Sequence, residues 1–575
     1  MKRFGIPLAV AAAWCALILF VHRDSPRTLV SAHGLLHAAI AGQYAPGVER
    51  PPFATPPENP LFAGTPLPYY YFFHAVGAQV AALLGTDVIH AFELLVIAAA
   101  FAAVLFGFVL GARLHGGGAA GRAFGAAFAL LLFAGCHPQG PLVLLARWIR
   151  DGSAAFADRG QYLWGLVHPI NGAMRLGDYW GALGPLASYF FNVTARPLAL
   201  ASLVLVIASL AWVPAEGRRG CARALLGVVL ATAFCALWSP LIALAAASAL
   251  ALSFALDAEL RRRRAPAGSG SRLVLRQWLC AASLLAGAAL AWPWYRHLLG
   301  DGAGTVAFGL QPKRALGIVA SAWLVALLAW RGAAPIRGDA GALPHVLSLA
   351  GLLLASAAMF VALPVGNEDN FLHAALVFWS GAAAGFVVAR PGPEGGGRGG
   401  ARRRLVALHL AFLPTLAIVV LAYTNRPPIP IALERGELQR TPADGPEARL
   451  YRWLRSSTPA DAVVVQDPGR EGRQCTGNTS ELPAFTGRSL FTDYWGHYLV
   501  APHPEAGLRV ELSQRLARGE PLARAEERYL SALGRPLFLV SRGADAATVE
   551  RLASAFGAPR FEADPIRVFA WRAHE

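Results

Sequence analysis

The stretch 31–79, SAHGLLHAAIAGQYAPGVERPPFATPPENPLFAGTPLPYYYFFHAVGAQ, gathers most of the chemically versatile side chains in an otherwise greasy chain. If SAHGLLHAAIAGQ is helical, His33 and His37 stand four residues apart on one face, and two imidazoles point together. Leu35, Leu36 and Ile40 then turn toward lipid or protein. PPENPLFAG is a turning loop, because three prolines fix φ and exclude a helix, and it presents Glu58 and Asn59. TPLPYYYFFH opens a further helix on which Tyr70 and His74 are neighbours. A carboxylate accepts protons, an imidazole titrates close to neutrality, and a tyrosine ring stacks on a sugar or sits at a membrane interface. Each group also has a plainer reading: Tyr69, Tyr70 and Tyr71 as an aromatic belt, His33, His37 and His74 as hydrogen-bonded structural histidines, Glu58 as a pin for its loop.

Two other clusters invite the same question. PVGNEDNF places Asn367, Glu368, Asp369 and Asn370 in sequence, and two adjacent carboxylates require solvent, a cation or arginine partners. They read either as a solvated turn or as groups that bind hydroxyls and accept a proton. The segment 137–195 mixes Trp148, Tyr162, Trp164, His168, Asn171, Arg175, Asp178, Tyr179 and Trp180, with Arg196 just beyond, as an interfacial amphipathic helix or an acceptor groove. Six cysteines form no disulfide framework and no CxxC pair, and no spacing of ligands points to a metal.

These groups are held by apolar elements. The chain has 575 residues, 55% hydrophobic and 15% charged, with a mean hydropathy of +0.44. A water-soluble fold of that size could not cover itself with polar surface. Twelve apolar runs fall near 5–21, 69–85, 88–111, 121–136, 195–213, 223–238, 240–256, 275–295, 315–330, 343–363, 371–389 and 404–423, so the expected fold class is an α-helical multi-pass membrane protein with about 11–13 transmembrane helices. The net charge of +16 sits mainly in short loops between runs, where it reports membrane orientation rather than nucleic-acid binding. The first run lacks an A-x-A-like cleavage site and reads as a retained helix.

Lys2 and Arg3 hold the N-terminus on the cytoplasmic side of a plasma (inner) membrane. The arginines at 218–223, 261–264, 331–337 and 390–404 mark alternate loops as cytoplasmic too. The tail from 424 is then extracytoplasmic. Four full crossings in the first third break this parity, so either 69–85 is re-entrant or interfacial, or a crossing hides within 137–195. The expected organisation is a membrane domain over 1–423, with large external loops 22–68 and 137–195, and a soluble α/β domain over 424–575. In that domain AVVVQD, PLFLVS and RVFAWR read as strands and AATVERLASAF as a helix.

HGLLH, then PPENPLFAG, then LPYYYFFH together resemble the first external loop of the YYY-signature family of very hydrophobic prokaryotic membrane proteins, itself similar to the GT-C superfamily of polyprenyl-phosphate-sugar-dependent glycosyltransferases. The resemblance extends loosely to PVGNEDNF and to a TGR turn at Thr486 to Arg488. It implies inverting sugar transfer from a lipid-phosphate donor to a cell-envelope glycan, lipid or protein acceptor at the outer membrane face, with an acid of the first external loop as general base. The family's acid near the start of the first juxtamembrane helix has no counterpart in SAHGLLH, where His33 stands instead. The catalytic candidates are therefore Glu58, His33 and Asp24. His37, Asn59, Tyr69, Tyr70, Tyr71, His74, Arg175, Asn367, Glu368 and Asp369 are candidates for substrate binding, and Arg175, Arg196, Lys313 and Arg314 for the donor phosphate. A polyprenyl-phosphate-linked sugar is the implied donor, with no metal and no further cofactor. A transporter or lipid flippase, and a non-catalytic assembly protein of the same fold, are the rival readings.

Overall fold

A computed structural model describes residues 4–24, 32–44, 56–67, 69–152, 165–167, 173–176, 179–213, 218–264, 271–299, 306–333, 342–363, 367–388, 398–425, 445–468, 478–493 and 504–571. All twelve apolar runs are helices. Among the described residues nine are long and apolar enough to cross a membrane, and three, Phe72–Leu84, Ala119–Ala134 and Arg196–Trp212, are shorter. A helix satisfies its own backbone hydrogen bonds, so it is the form an apolar run must take in lipid. The protein is a multi-pass membrane protein.

The chain divides into two compact units, and each draws on separated stretches. The first comprises Met1–Ser25, Leu94–Tyr295 and Thr305–Pro427; the second comprises Pro26–Glu93, Arg296–Gly304 and Pro428–Glu575. Where the sequence suggested one soluble domain beginning at 424, the second unit also takes in 26–93, for reasons given below.

At the centre of the first unit runs helix Asp369–Val388, buried over nearly its whole length. Its neighbours include Pro312–Gly332, Ala342–Phe360 and Ala119–Ala134. Small residues permit the approach: a Cβ on Gly332 would lie 2.1 Å from the carbonyl oxygen of Ala382. Where helix Ala119–Ala134 ends, His137 takes a left-handed φ of 49°, uncommon for a side-chain-bearing residue. Its backbone repays the strain, donating to the Ser321 carbonyl (2.8 Å) and accepting from the Thr415 hydroxyl (2.5 Å). The amphipathic helix expected within 137–195 is Gly140–Asp151, with Leu142, Leu145, Trp148 and Ile149 exposed.

The second unit is built on a five-stranded sheet ordered Ser489–Leu490, Val463–Gln466, Leu537–Arg542, Ile566–Trp571, Phe561–Ala563. The first three strands run parallel and the last two pair antiparallel. The three strands and the helix read from the sequence are all present; Asp545 caps helix Ala546–Phe556 by accepting from Thr548 N at 2.7 Å. The core joins Val463, Val465, Phe491, Leu512, Leu537, Leu539 and Phe569 to Ala63 of the loop 56–67. That loop lies along the free edge of the sheet: Ala63 N donates to Leu490 O and Leu490 N to Pro60 O, both at 2.8 Å. An open edge is a liability in any sheet, and here the chain covers it with its own distant segment.

Candidate functional site

In the second unit the loop residues are drawn into structure. Glu58 is buried and both its oxygens are engaged: Oε1 accepts from the Gly64 amide and pairs with the Arg535 guanidinium, while Oε2 accepts from the Ser489 hydroxyl at 2.8 Å. Asn59 Oδ1 accepts from Leu61 N at 3.0 Å, closing the turn that the prolines begin. Nearby, Arg509 is 3% exposed, donates to Ala63 O (2.6 Å), Phe491 O (3.0 Å) and Tyr529 OH (2.7 Å), and lies 4.1 Å from the centroid of Phe62. Glu58 and Arg509 together fasten the loop to the sheet. The TGR turn forms as read, with Gly487 at φ 69° and Thr486 Oγ1 accepting from Arg488 N at 3.1 Å.

Two histidines of the 31–79 stretch meet across two helices. His37 of Ala32–Gly42 and His74 of Phe72–Leu84 are both buried, and His37 Nδ1 lies 2.7 Å from His74 Nε2. One ring donates and the other accepts, so the pair shares a single proton. Tyr69, Phe73 and Phe92 surround it, and the Tyr69 hydroxyl donates to that of Tyr70 at 2.9 Å. Tyr71 stacks against Tyr44 instead. The side chains of His33 and Asp24 lie outside the described residues, as do Tyr162, Trp164, His168, Asn171 and Asp178.

In the first unit the second acidic cluster is resolved into two different roles. Glu368 is buried; Oε1 accepts from Leu363 N at 2.7 Å and Oε2 pairs with Arg314 Nη2 at 3.3 Å, so this acid pins the turn before the central helix. Asn370 and Asn367 close the same turn. Asp369, the first residue of the central helix, is largely buried, accepts no side-chain hydrogen bond among the described residues, and lies within the electrostatic reach of Arg196, Arg314 and the neighbouring Glu368. Lys313 beside Arg314 is exposed. Arg175 sits in a two-stranded ribbon opposite Trp180, with its side chain half-buried.

Around Asp369 stand His373 and Tyr189, which the sequence did not single out, together with Arg196, which it did. His373, one helical turn further on, is fully buried, and its ring meets Tyr189 edge to face at 4.2 Å. Arg196 lies over the Tyr189 ring at 5.1 Å. Burial first, and then the charge of Asp369, push the Tyr189 phenol well above its ordinary range, so it is a proton-bearing donor. His22, at the end of the first helix, is held to Phe190 O at 3.0 Å. The available signal was His373 four residues after Asp369, a helix-face spacing that an apolar run disguised. Among the described residues no cluster of three or more His, Cys, Asp or Glu is arranged to hold a metal.

No protein-family model matches the chain, and no curated protein sequence does. Solved structures do. ArnT from Cupriavidus metallidurans bound to undecaprenyl phosphate superposes over 99% of this chain and 98% of its own, with 12% identity and a TM-score of 0.51. The Archaeoglobus fulgidus oligosaccharyltransferase, tethered to an acceptor peptide, matches over 94% and 70% with 10% identity and a TM-score of 0.45. The arabinofuranosyltransferase AftD from Mycobacteria matches over 99% and 40% with 18% identity and a TM-score of 0.46. Such identities speak to fold alone, and the first of these comparisons carries it over the whole chain: the fold is similar to that of ArnT.

Proposed function

We propose that this protein is a membrane glycosyltransferase that moves a sugar from a polyprenyl-phosphate donor to a cell-envelope acceptor at the outer face of the membrane. One observation carries the reading: the central helix of a GT-C-like fold begins with a largely but not fully buried carboxylate, Asp369, within the electrostatic reach of two arginines. Arg196 and Arg314, with exposed Lys313 alongside, suit a phosphate that gains negative charge as it leaves. Asp369 is placed to take the proton of an acceptor hydroxyl. The acceptor oxygen then bonds to the anomeric carbon, and the bond from that carbon to the phosphate oxygen breaks with its electron pair on the lipid phosphate.

In this proposal Glu58 is a clamp rather than the base. The second unit supports that role, since every oxygen of Glu58 is already committed. A transporter or flippase would place ionisable groups midway along its spans. The buried acids Glu93 and Asp257 instead lie toward helix ends, Asp257 paired with Arg261 at 2.7 Å.

The test uses the purified protein in nanodiscs with a panel of radiolabelled polyprenyl-phosphate sugars and an envelope extract. Wild type consumes at least one donor, and Asp369→Asn lowers the rate by about 10²-fold or more while retaining lipid-phosphate binding. A wild type that consumes and binds none of them removes the proposal.

A further inference from the structure

Buried hydrogen-bonding atoms in folded proteins nearly always have partners. Next to Asp369, three do not: both ring nitrogens of His373 and the hydroxyl of Tyr189 are buried with no hydrogen-bond partner among the described residues. They belong to two side chains that touch, at 4.2 Å between ring centres. Asp369 and His373 lie one turn apart on the same helix face, and the Arg196 guanidinium lies over the Tyr189 ring. Donors and acceptors are both present, for a neutral imidazole offers one of each and the phenol offers either. A cation is the wrong occupant beside Arg196, and an apolar group would leave all three atoms unsatisfied. Hydroxyl groups fit, because each both gives and takes a hydrogen bond.

We propose that His373 and Tyr189 form a hydroxyl-binding subsite that holds the sugar moiety of the lipid-linked donor beside Asp369. This rests on the glycosyltransferase reading and deepens it. The lipid phosphate is held by Arg196 and Arg314, and sugar recognition is the task of the aromatic pair. A subsite that bonds a hydroxyl discriminates strongly against a ligand lacking it, because the protein's own buried groups are then left unpaired.

His373→Phe and Tyr189→Phe test this, since both keep the edge-to-face ring contact and remove only the polar atoms. Affinities are measured in nanodiscs for bare undecaprenyl phosphate and for a panel of undecaprenyl-phosphate hexoses and pentoses, and thermal unfolding is recorded for each variant. Wild type binds at least one sugar-linked lipid more tightly than the bare phosphate. Each variant reduces that preference about tenfold and leaves bare-phosphate affinity unchanged. Variants that keep the wild-type preference, with at most an altered unfolding temperature, overturn the subsite and show that the three atoms serve the fold or an enclosed water; the glycosyltransferase reading then survives if Arg314→Met still loses phosphate binding. A wild type with no preference for any sugar-linked lipid also overturns the subsite, and one that binds no lipid phosphate overturns the reading on which it rests.

Discussion

At the scale of single residues, chemistry and structure compete for the same carboxylates. Glu58 and Asp369 are both acids in polar segments beside apolar helices, yet the structure spends them differently. Glu58 is sealed between Arg535, Ser489 and the Gly64 amide, and the Arg535 guanidinium also donates to Asp461 O at 2.5 Å. Breaking a buried pair by removing one partner costs roughly 3–5 kcal/mol, because the other charge stays behind uncompensated. Glu58→Ala should therefore lower the unfolding midpoint by several degrees and expose 56–67 to protease, with transfer lost only in proportion to the unfolded fraction. Asp369→Asn should do the reverse, abolishing transfer at an unchanged midpoint. If Glu58→Gln instead stops transfer in a protein as stable as wild type, the general base is Glu58 and the clamp assignment is wrong. That the loop mattered was legible from PPENPLFAG, whose prolines and acid declared a built turn. What the acid was built against was not, because Ser489 and Arg535 lie more than four hundred residues away and a single sequence carries no signal for such a pairing.

At the scale of elements, helices and strands were the most legible part and their partners the least. An apolar run of twenty residues has one stable form in lipid, so the twelve runs returned as twelve helices. Short apolar runs rich in β-branched and aromatic residues and bounded by polar ones, AVVVQD and PLFLVS, likewise specified strands, which pair in register Val463↔Leu537. Helix Asn478–Thr486 shows where pattern falls short. It packs against helix Ala32–Gly42 and buries Glu481, whose Oε1 has no hydrogen-bond partner among the described residues while Oε2 accepts from Tyr451 OH at 3.3 Å. Burial, with Glu447 adding repulsion and Arg542 opposing it, pushes the Glu481 carboxyl up to about 7. An acid raised in the folded state holds its proton there after the unfolded chain has released it. Folded stability is thus fully present below the ordinary glutamate range near 4.5 and declines as pH rises through about 7. Wild type should lose melting temperature between pH 5 and pH 8, and Glu481→Gln should flatten that slope. An identical slope in the two proteins would show that Glu481 does not titrate in this window.

At the scale of the whole molecule, membrane topology follows from counting. The loop 56–67 hydrogen-bonds to strand Ser489–Leu490 within one compact unit, and hydrogen-bonded segments occupy the same side of a bilayer. The number of crossings between them must be even. Helix Phe72–Leu84 has 13 residues, and at about 1.5 Å per residue it falls short of a hydrocarbon core of about 30 Å. The ten later apolar helices, from Val88–His115 to Arg398–Thr424, supply an even count by themselves. Helices Ala119–Ala134 and Arg196–Trp212, though short, are then obliged to cross. With Gly5–Asp24 added, the predicted topology has eleven crossings and the two ends of the chain on opposite sides, with Arg113 and Arg122, Arg218 and Arg219, Arg261 to Arg264, Arg331 and Arg398 all on the side of Lys2 and Arg3. The parity conflict in the first third thus resolves if the YYYFFH helix does not span. Fusions of a periplasm-active phosphatase and a cytoplasm-fluorescent reporter after residues 117, 340 and 575 test this. Fluorescence at 117 and 340 and phosphatase activity at 575 are expected. A fluorescent fusion at 575 would put the soluble sheet and its covering loop in the cytoplasm, where the donor's outer-leaflet chemistry could not reach them.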